Sequence, residues 1–188
     1  MKSFPSHVLY PLALAAALLV SFGNRTFAQQ SAGPFASETI DPGLVVSNVK
    51  KSIEFYTLAI GFKELKGFSV PADWTKEVGL TDGKTLDIHV LALGEGKSAT
   101  KLKLMEIPGA NIKKAENQYV TNQQGIRYLT IQVNDIDEAV ARLTKAGAKP
   151  VTTGGMIALP EGFPKGVYLT LVRDPDGNMI ELVGPKKQ

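Results

Sequence analysis

Val46-Ser47-Asn48-Val49-Lys50-Lys51-Ser52-Ile53-Glu54-Phe55-Tyr56 is the stretch on which the fold turns. Its pattern returns 87 positions later, as Val133-Asn134-Asp135-Ile136-Asp137-Glu138-Ala139-Val140-Ala141-Arg142-Leu143. In both copies an apolar strand end runs into an Asx residue, Asn48 or Asp135, whose side chain can accept from the first free backbone amides of a helix. Apolar residues then recur at i, i+4 and i+7, namely Val49, Ile53 and Tyr56, and Ile136, Val140 and Leu143, which predicts one buried helix face in each copy. Gly61 and Gly147 stand where each helix would stop.

Outward from these helices the punctuation also matches. After the first, Leu86 to Leu93 alternates weakly, Gly94-Glu95-Gly96-Lys97 turns the chain, and Lys101 to Ile107 returns before Pro108-Gly109. After the second, Val167 to Arg173 enters the turn Asp174-Pro175-Asp176-Gly177-Asn178, and Met179 to Val183 returns before Gly184-Pro185. Each half therefore reads as a βαβββ module, the first over 40–107 and the second over 126–185, joined by an Asn/Gln-rich linker over 108–125. Neither module's sheet closes alone, so the two are expected to form an open, barrel-like cleft of α+β class with the helices outside.

The N-terminus has a different character. Lys2 precedes an almost unbroken apolar run from Val8 to Phe22, and Thr26-Phe27-Ala28 offers small residues at a cleavage site, so residues 1–28 read as a secretory signal peptide and 29–39 as a linker. A run of about 15 residues is short for a span that needs about 20, so no stable membrane anchoring is expected after cleavage. Export to the periplasm or the exterior is the expected localisation. Losing Lys2 and Arg25 leaves 19 basic against 18 acidic residues, so the formal charge of +3 on the whole chain is no footprint of nucleic-acid binding. The chain has no Cys, which rules out disulfides, thiolate metal sites and cysteine nucleophiles.

Leu44 to Tyr56, Gly125 to Val140 and above all Asp174-Pro175-Asp176-Gly177-Asn178-Met179-Ile180-Glu181-Leu182 resemble the vicinal oxygen chelate superfamily, the glyoxalase and bleomycin-resistance fold, over about Ile40 to Pro185. The resemblance implies paired βαβββ modules around a small-molecule cleft that in many members holds a divalent metal. The family's ligand positions on the first strands fall here on Asp41 and Tyr128, and those on the last strands on Lys103 and Glu181. Only Glu181 matches the usual ligand type. A lysine ammonium brings donors alone, and Lys103 is expected to repel a metal and pair with the neighbouring carboxylates. No cofactor is therefore expected. With His7 in the signal, His89 is the only mature histidine, which argues against a two-histidine iron site and a dioxygenase.

The leading expectation is an exported protein that binds a small molecule of unknown identity in the cleft without the family metal. Asp41, Lys103, Tyr128 and Glu181 would line it, joined by His89 and by Trp74 of the polar insertion over Phe68 to Lys84. His89 is included because Leu86, Ile88 and Val90 are expected to pack under a helix and turn it to the cleft. If the protein is catalytic, Glu181, Tyr128 and His89 are the candidates. One alternative is a lyase or epimerase of glyoxalase type using Glu181 with Zn, Ni, Mn or Fe, whose enolate chemistry needs a Lewis acid and a base. Another is a non-catalytic structural or partner-binding envelope domain. The resemblance also admits a homodimer, since many members pair and some complete the cleft between chains.

Overall fold

The computed structural model describes residues 35, 37 and 39–187; the expected signal peptide over 1–28 and its cleavage point lie outside them. Two four-stranded mixed sheets carry the fold. In the first, β1 (Gly43–Val45), β2 (Lys63–Val70), β3 (Leu86–Leu93) and β4 (Thr100–Met105) lie in the order β1-β4-β3-β2. In the second, β5 (Tyr128–Gln132), β6 (Ile157–Ala158), β7 (Val167–Arg173) and β8 (Met179–Pro185) lie in the matching order β5-β8-β7-β6. Each module's first strand runs parallel to its last, β1 with β4 and β5 with β8, and the other pairings are antiparallel. The parallel pair is what the helix crossover after the first strand requires. Neither sheet closes into a barrel.

Both crossover helices start as their sequences predict. Asn48 accepts from the Lys51 amide at 2.9 Å to begin α1 (Val49–Glu54), and Asp135 accepts from the Asp137 amide at 3.0 Å to begin α3 (Ile136–Lys145). Asp137 and Glu138 in the first turn of α3, with Arg142 and Lys145 in its last, suit the helix dipole. The buried face of α3 centres on Ile136, Ala139 and Leu143, while Val140 sits at its margin.

The first helix departs from expectation. After Glu54 the chain widens into a π-turn over Phe55–Ile60, closed by the amides of Gly61 and Phe62, both donating to the Tyr56 carbonyl at 3.0 and 2.9 Å. Gly61 then takes a left-handed φ of 103°. Tyr56, Ala59 and Ile60, three and four residues apart and so on one helix face, are all buried.

One core serves both modules. Tyr56, Leu102 and Leu104 of the first and Ile136, Leu143, Ile180 and Leu182 of the second are all fully buried in a single cluster. Polar ties also cross between the modules, among them a bond from the Arg142 guanidinium to the Ile60 carbonyl at 3.3 Å. The Tyr56 hydroxyl donates to Asp174 at 2.9 Å, and the Ser47 amide donates to the Asp176 carboxylate at 3.1 Å. Asp174 is itself buried and also accepts from the amides of Asp176 and Asn178, so the turn before β8 is fastened onto the first helix. Burial and the facing Asp174 carboxylate push the Tyr56 hydroxyl pKa well above its ordinary value.

The inter-module segment over 108–125 is more than a spacer. Arg127 donates to the Glu116 carbonyl and the Asn117 side chain at 2.7 and 2.8 Å, Arg173 donates to the carbonyls of Asn117 and Gln118, and Asn117 donates to Asn178 at 3.1 Å. The insertion after β2 is likewise ordered. Its helix α2 (Ala72–Glu77) is held by the buried Thr75 hydroxyl, which donates to the Lys84 carbonyl at 2.7 Å.

Candidate functional site

Strand register decides which side chains share a face. Leu102 and Leu104 of β4, with Leu91 of β3, are fully buried against the helices. Period-two alternation therefore puts Lys101, Lys103 and Met105 on the opposite, open face. Register partners run across that face in rows. Leu65, Val90, Lys103 and Gly43 make one row, and Lys63, Ala92 and Lys101 make the next, beside Asp41. In the second sheet Leu171, Glu181 and Thr130 make the equivalent of the first row, and Arg173, Met179 and Tyr128 the equivalent of the second.

The residues singled out in the sequence separate into two groups. Asp41, just ahead of β1, accepts from the Lys101 amide at 3.0 Å, and the Lys103 ammonium lies 3.4 Å from its other oxygen. Those contacts hold the Asp41 carboxyl below its ordinary pKa, the backbone amide of Lys101 contributing most and Lys103 adding to it. Glu181 instead accepts from the Thr130 hydroxyl at 2.7 Å. No hydrogen bond or ion pair joins the two groups among the described residues, so the expected pairing of Lys103 extends to Asp41 and not to Glu181. Tyr128, half exposed, lines a cavity of about 190 Å³ with Pro42, Gly43, Leu44, Ile126 and Met179, where the starts of β1 and β5 meet.

His89 does not face this surface. It is the register partner of Leu104, so it lies on the helix side, partly exposed, with its Nδ1 3.8 Å from Glu64. The sequence expectation had the faces of β3 reversed. Leu86 to Leu93 is apolar at nearly every position, so alternation alone cannot choose a face, and pairing of Leu91 with Leu102 makes the choice. Trp74 sits on α2, half exposed, just beyond the end of β2.

Thr130 and Lys101 are the residues the sequence reading passed over. Alternation with Lys103 is the signal that could have found Lys101, whereas the place of Thr130 beside Glu181 depends on the register of β5 with β8.

The donor set does not fit a divalent ion. Both Asp41 oxygens are engaged by donors, Lys103 can only donate, and Tyr128 is a phenol where the family usually has an imidazole. Among the described residues no group of three or more His, Asp or Glu side chains is placed to hold a metal.

The comparisons with known proteins bear on the family and the fold. The family described as the Glyoxalase/Bleomycin resistance protein/Dioxygenase superfamily matches residues 39–182. A glyoxalase family protein from Bacillus cereus superposes with a TM-score of 0.63 at 21% identity, covering 82% of this chain and 99% of its own. A glyoxylase/bleomycin resistance protein/dioxygenase domain from Frankia gives 0.58 at 18% identity, over 81% of this chain and 95% of its own. The trypanothione-dependent glyoxalase I of Leishmania major gives 0.53 at 26% identity, over 79% of this chain and 87% of its own. No curated protein matches by sequence.

Proposed function

Because the chain belongs to the Glyoxalase/Bleomycin resistance protein/Dioxygenase superfamily, we propose that it binds a small organic molecule across the open faces of its two sheets and does so without a divalent metal. One observation carries the reading: the ion pair of Lys103 with Asp41 fills two of the four positions from which metal-dependent relatives would draw ligands. An ammonium there neutralises the carboxylate a metal would need and occupies the ion's volume. Glu181, which accepts from Thr130 through one oxygen, keeps the other as a polar anchor for ligand. The apolar run at the N-terminus supports export as the protein's destination.

The test is metal content. Purified protein is expected to carry no stoichiometric Zn, Ni, Mn or Fe by elemental analysis, and its melting temperature is expected to be indifferent to those ions. The double variant Lys103→Glu, Tyr128→His rebuilds the family's ligand types, so it is expected to gain stability with zinc or nickel, because binding to the folded state alone raises the melting temperature. A stoichiometric metal in the unaltered protein, lost in Glu181→Gln, would restore the reading of a metal-dependent lyase. Export is tested by N-terminal sequencing of the protein recovered from the periplasm, where a start at Gln29 is expected.

A further inference from the structure

We infer that the open face of the first sheet takes an amphiphilic carboxylate, with its acid group between Lys101 and Lys103 and its apolar body reaching across β3 to Leu65 and Phe68. The inference rests on the small-molecule reading above and adds a ligand class to it.

Charge gives the polar end. On this face Lys101, Lys103 and Asp41 sum to one positive charge, two ammonium groups against one carboxylate; Asp41 forms its ion pair with Lys103, and among the described residues Lys101 has no carboxylate within ion-pair distance. Lys63, in the same row as Lys101, is already paired with Glu95 and adds nothing. In the second sheet Arg173 and Glu181 cancel in sum, and each is already bound to neutral partners, the Asn117 and Gln118 carbonyls and the Thr130 hydroxyl. The excess positive charge is therefore shared by two ammonium groups two residues apart on one strand, of which, among the described residues, Lys101 has no ion-pair partner and Lys103 has one. Two ammonium groups so placed suit a carboxylate, which accepts through both oxygens.

Exposure gives the apolar end. Leu65 is 43% exposed and Phe68 51%. Register puts Leu65 opposite Val90 and Phe68 opposite Ile88, with a two-for-one bulge between them that keeps both on the open face. Half-exposed Leu65 and Phe68 are neighbours on the edge strand β2, and the buried Val90 and Ala92 of β3 separate them from the two lysines of β4, so an apolar chain laid across β3 joins an anionic head at the lysines to an apolar end at β2.

The experiment titrates the protein with decanoate, decanol and decylamine below their aggregation limits, by calorimetry and by fluorescence of Trp74, the only tryptophan. Decanoate is expected to bind about tenfold or more tighter than decanol, the difference typical of one added charge-assisted contact. Lys101→Gln, which leaves the Asp41 pair with Lys103 intact, is expected to bring decanoate down toward decanol and to leave decanol unchanged. Phe68→Ser is expected to weaken both. Equal binding of decanoate and decanol, or tighter binding of decylamine, overturns the carboxylate inference and leaves the small-molecule reading standing. Binding of none of the three overturns both. A dimer by sedimentation that Phe68→Ser dissociates would show a second copy on this face and overturn the inference as well.

Discussion

The two modules share a topology and differ at the row where their chemistry would lie. The first puts Gly43 opposite Lys103, and the second puts Thr130 opposite Glu181. A cationic row and an anionic row thus occupy equivalent places on one scaffold. The same contrast runs through the backbone. The first module's outer strand, β2, is eight residues long, whereas the second module's is interrupted: Pro150 bridges to Val172, Gly154 and Gly155 follow at positive φ, and only Ile157 and Ala158 resume the sheet as β6. The first module therefore offers the longer continuous open face, with the exposed Leu65 and Phe68, and the second invests its polar side chains in fastening the inter-module strap. Duplicated halves can keep one fold and diverge in function because the core depends on the helix-side residues while the open-face residues vary without disturbing it.

The widest break in this comparison would be loss of the common core. Leu102→Ala in the first module and Leu182→Ala in the second are each expected to cost about 2–5 kcal/mol in urea unfolding, within a single transition. Two separate transitions would show that the modules fold independently, against the one cluster they share.

Close backbone approach gives the next effect, again unequal between modules. A Cβ on Gly184 would stand 2.1 Å from the Val133 carbonyl oxygen, in β8 with strands on both sides, and one on Gly67 would stand 2.4 Å from the Ile88 oxygen, on the edge strand β2. Gly184→Ala is expected to cost about 1–3 kcal/mol as overpacking. Gly67→Ala is expected to cost less, because an edge strand can move away. Equal losses in thermal melts would refute that difference.

The tie between modules is sharpened by Tyr56→Phe, expected to cost about 1–2 kcal/mol. Asp174 keeps its amide donors in this variant, which limits the loss. The sign of the pH effect follows from the raised pKa of Tyr56. The folded state resists ionisation of the phenol, so its contribution is complete below the unfolded value of about 10 and falls as pH rises above it. Denaturant titrations are expected to show wild type losing stability in strong alkali more steeply than the variant.

Smallest is Asp41→Asn, expected to cost no more than about 1 kcal/mol, since the pair with Lys103 is partly exposed. With the Asp41 pKa depressed, its contribution is present above about pH 4 and is lost as the pH falls through the lowered folded value. A contribution that grows on acidification would contradict the contacts with the Lys101 amide and Lys103.

What the sequence alone determined is whatever local chemistry fixes. Asn48 and Asp135 set the helix starts, Asp174 to Asn178 set the last turn, and the repeat of these signals set two equivalent modules. Each depends on hydrogen bonds or turn conformations within a few residues, so each can be read from a short window. Tertiary structure decided the rest. The face of β3 was open because that strand is apolar on both sides, and only its register with β4 turns His89 to the helices and Val90 to the open face. The buried Tyr56 hydroxyl finds its acceptor in Asp174, 118 residues away, and the polar linker became a strap because Arg173 and Asn178 reach it from the far end of the chain. These are pairings between distant segments, whose partners are chosen by packing and by the need to satisfy buried polar groups, and no local period or motif encodes them.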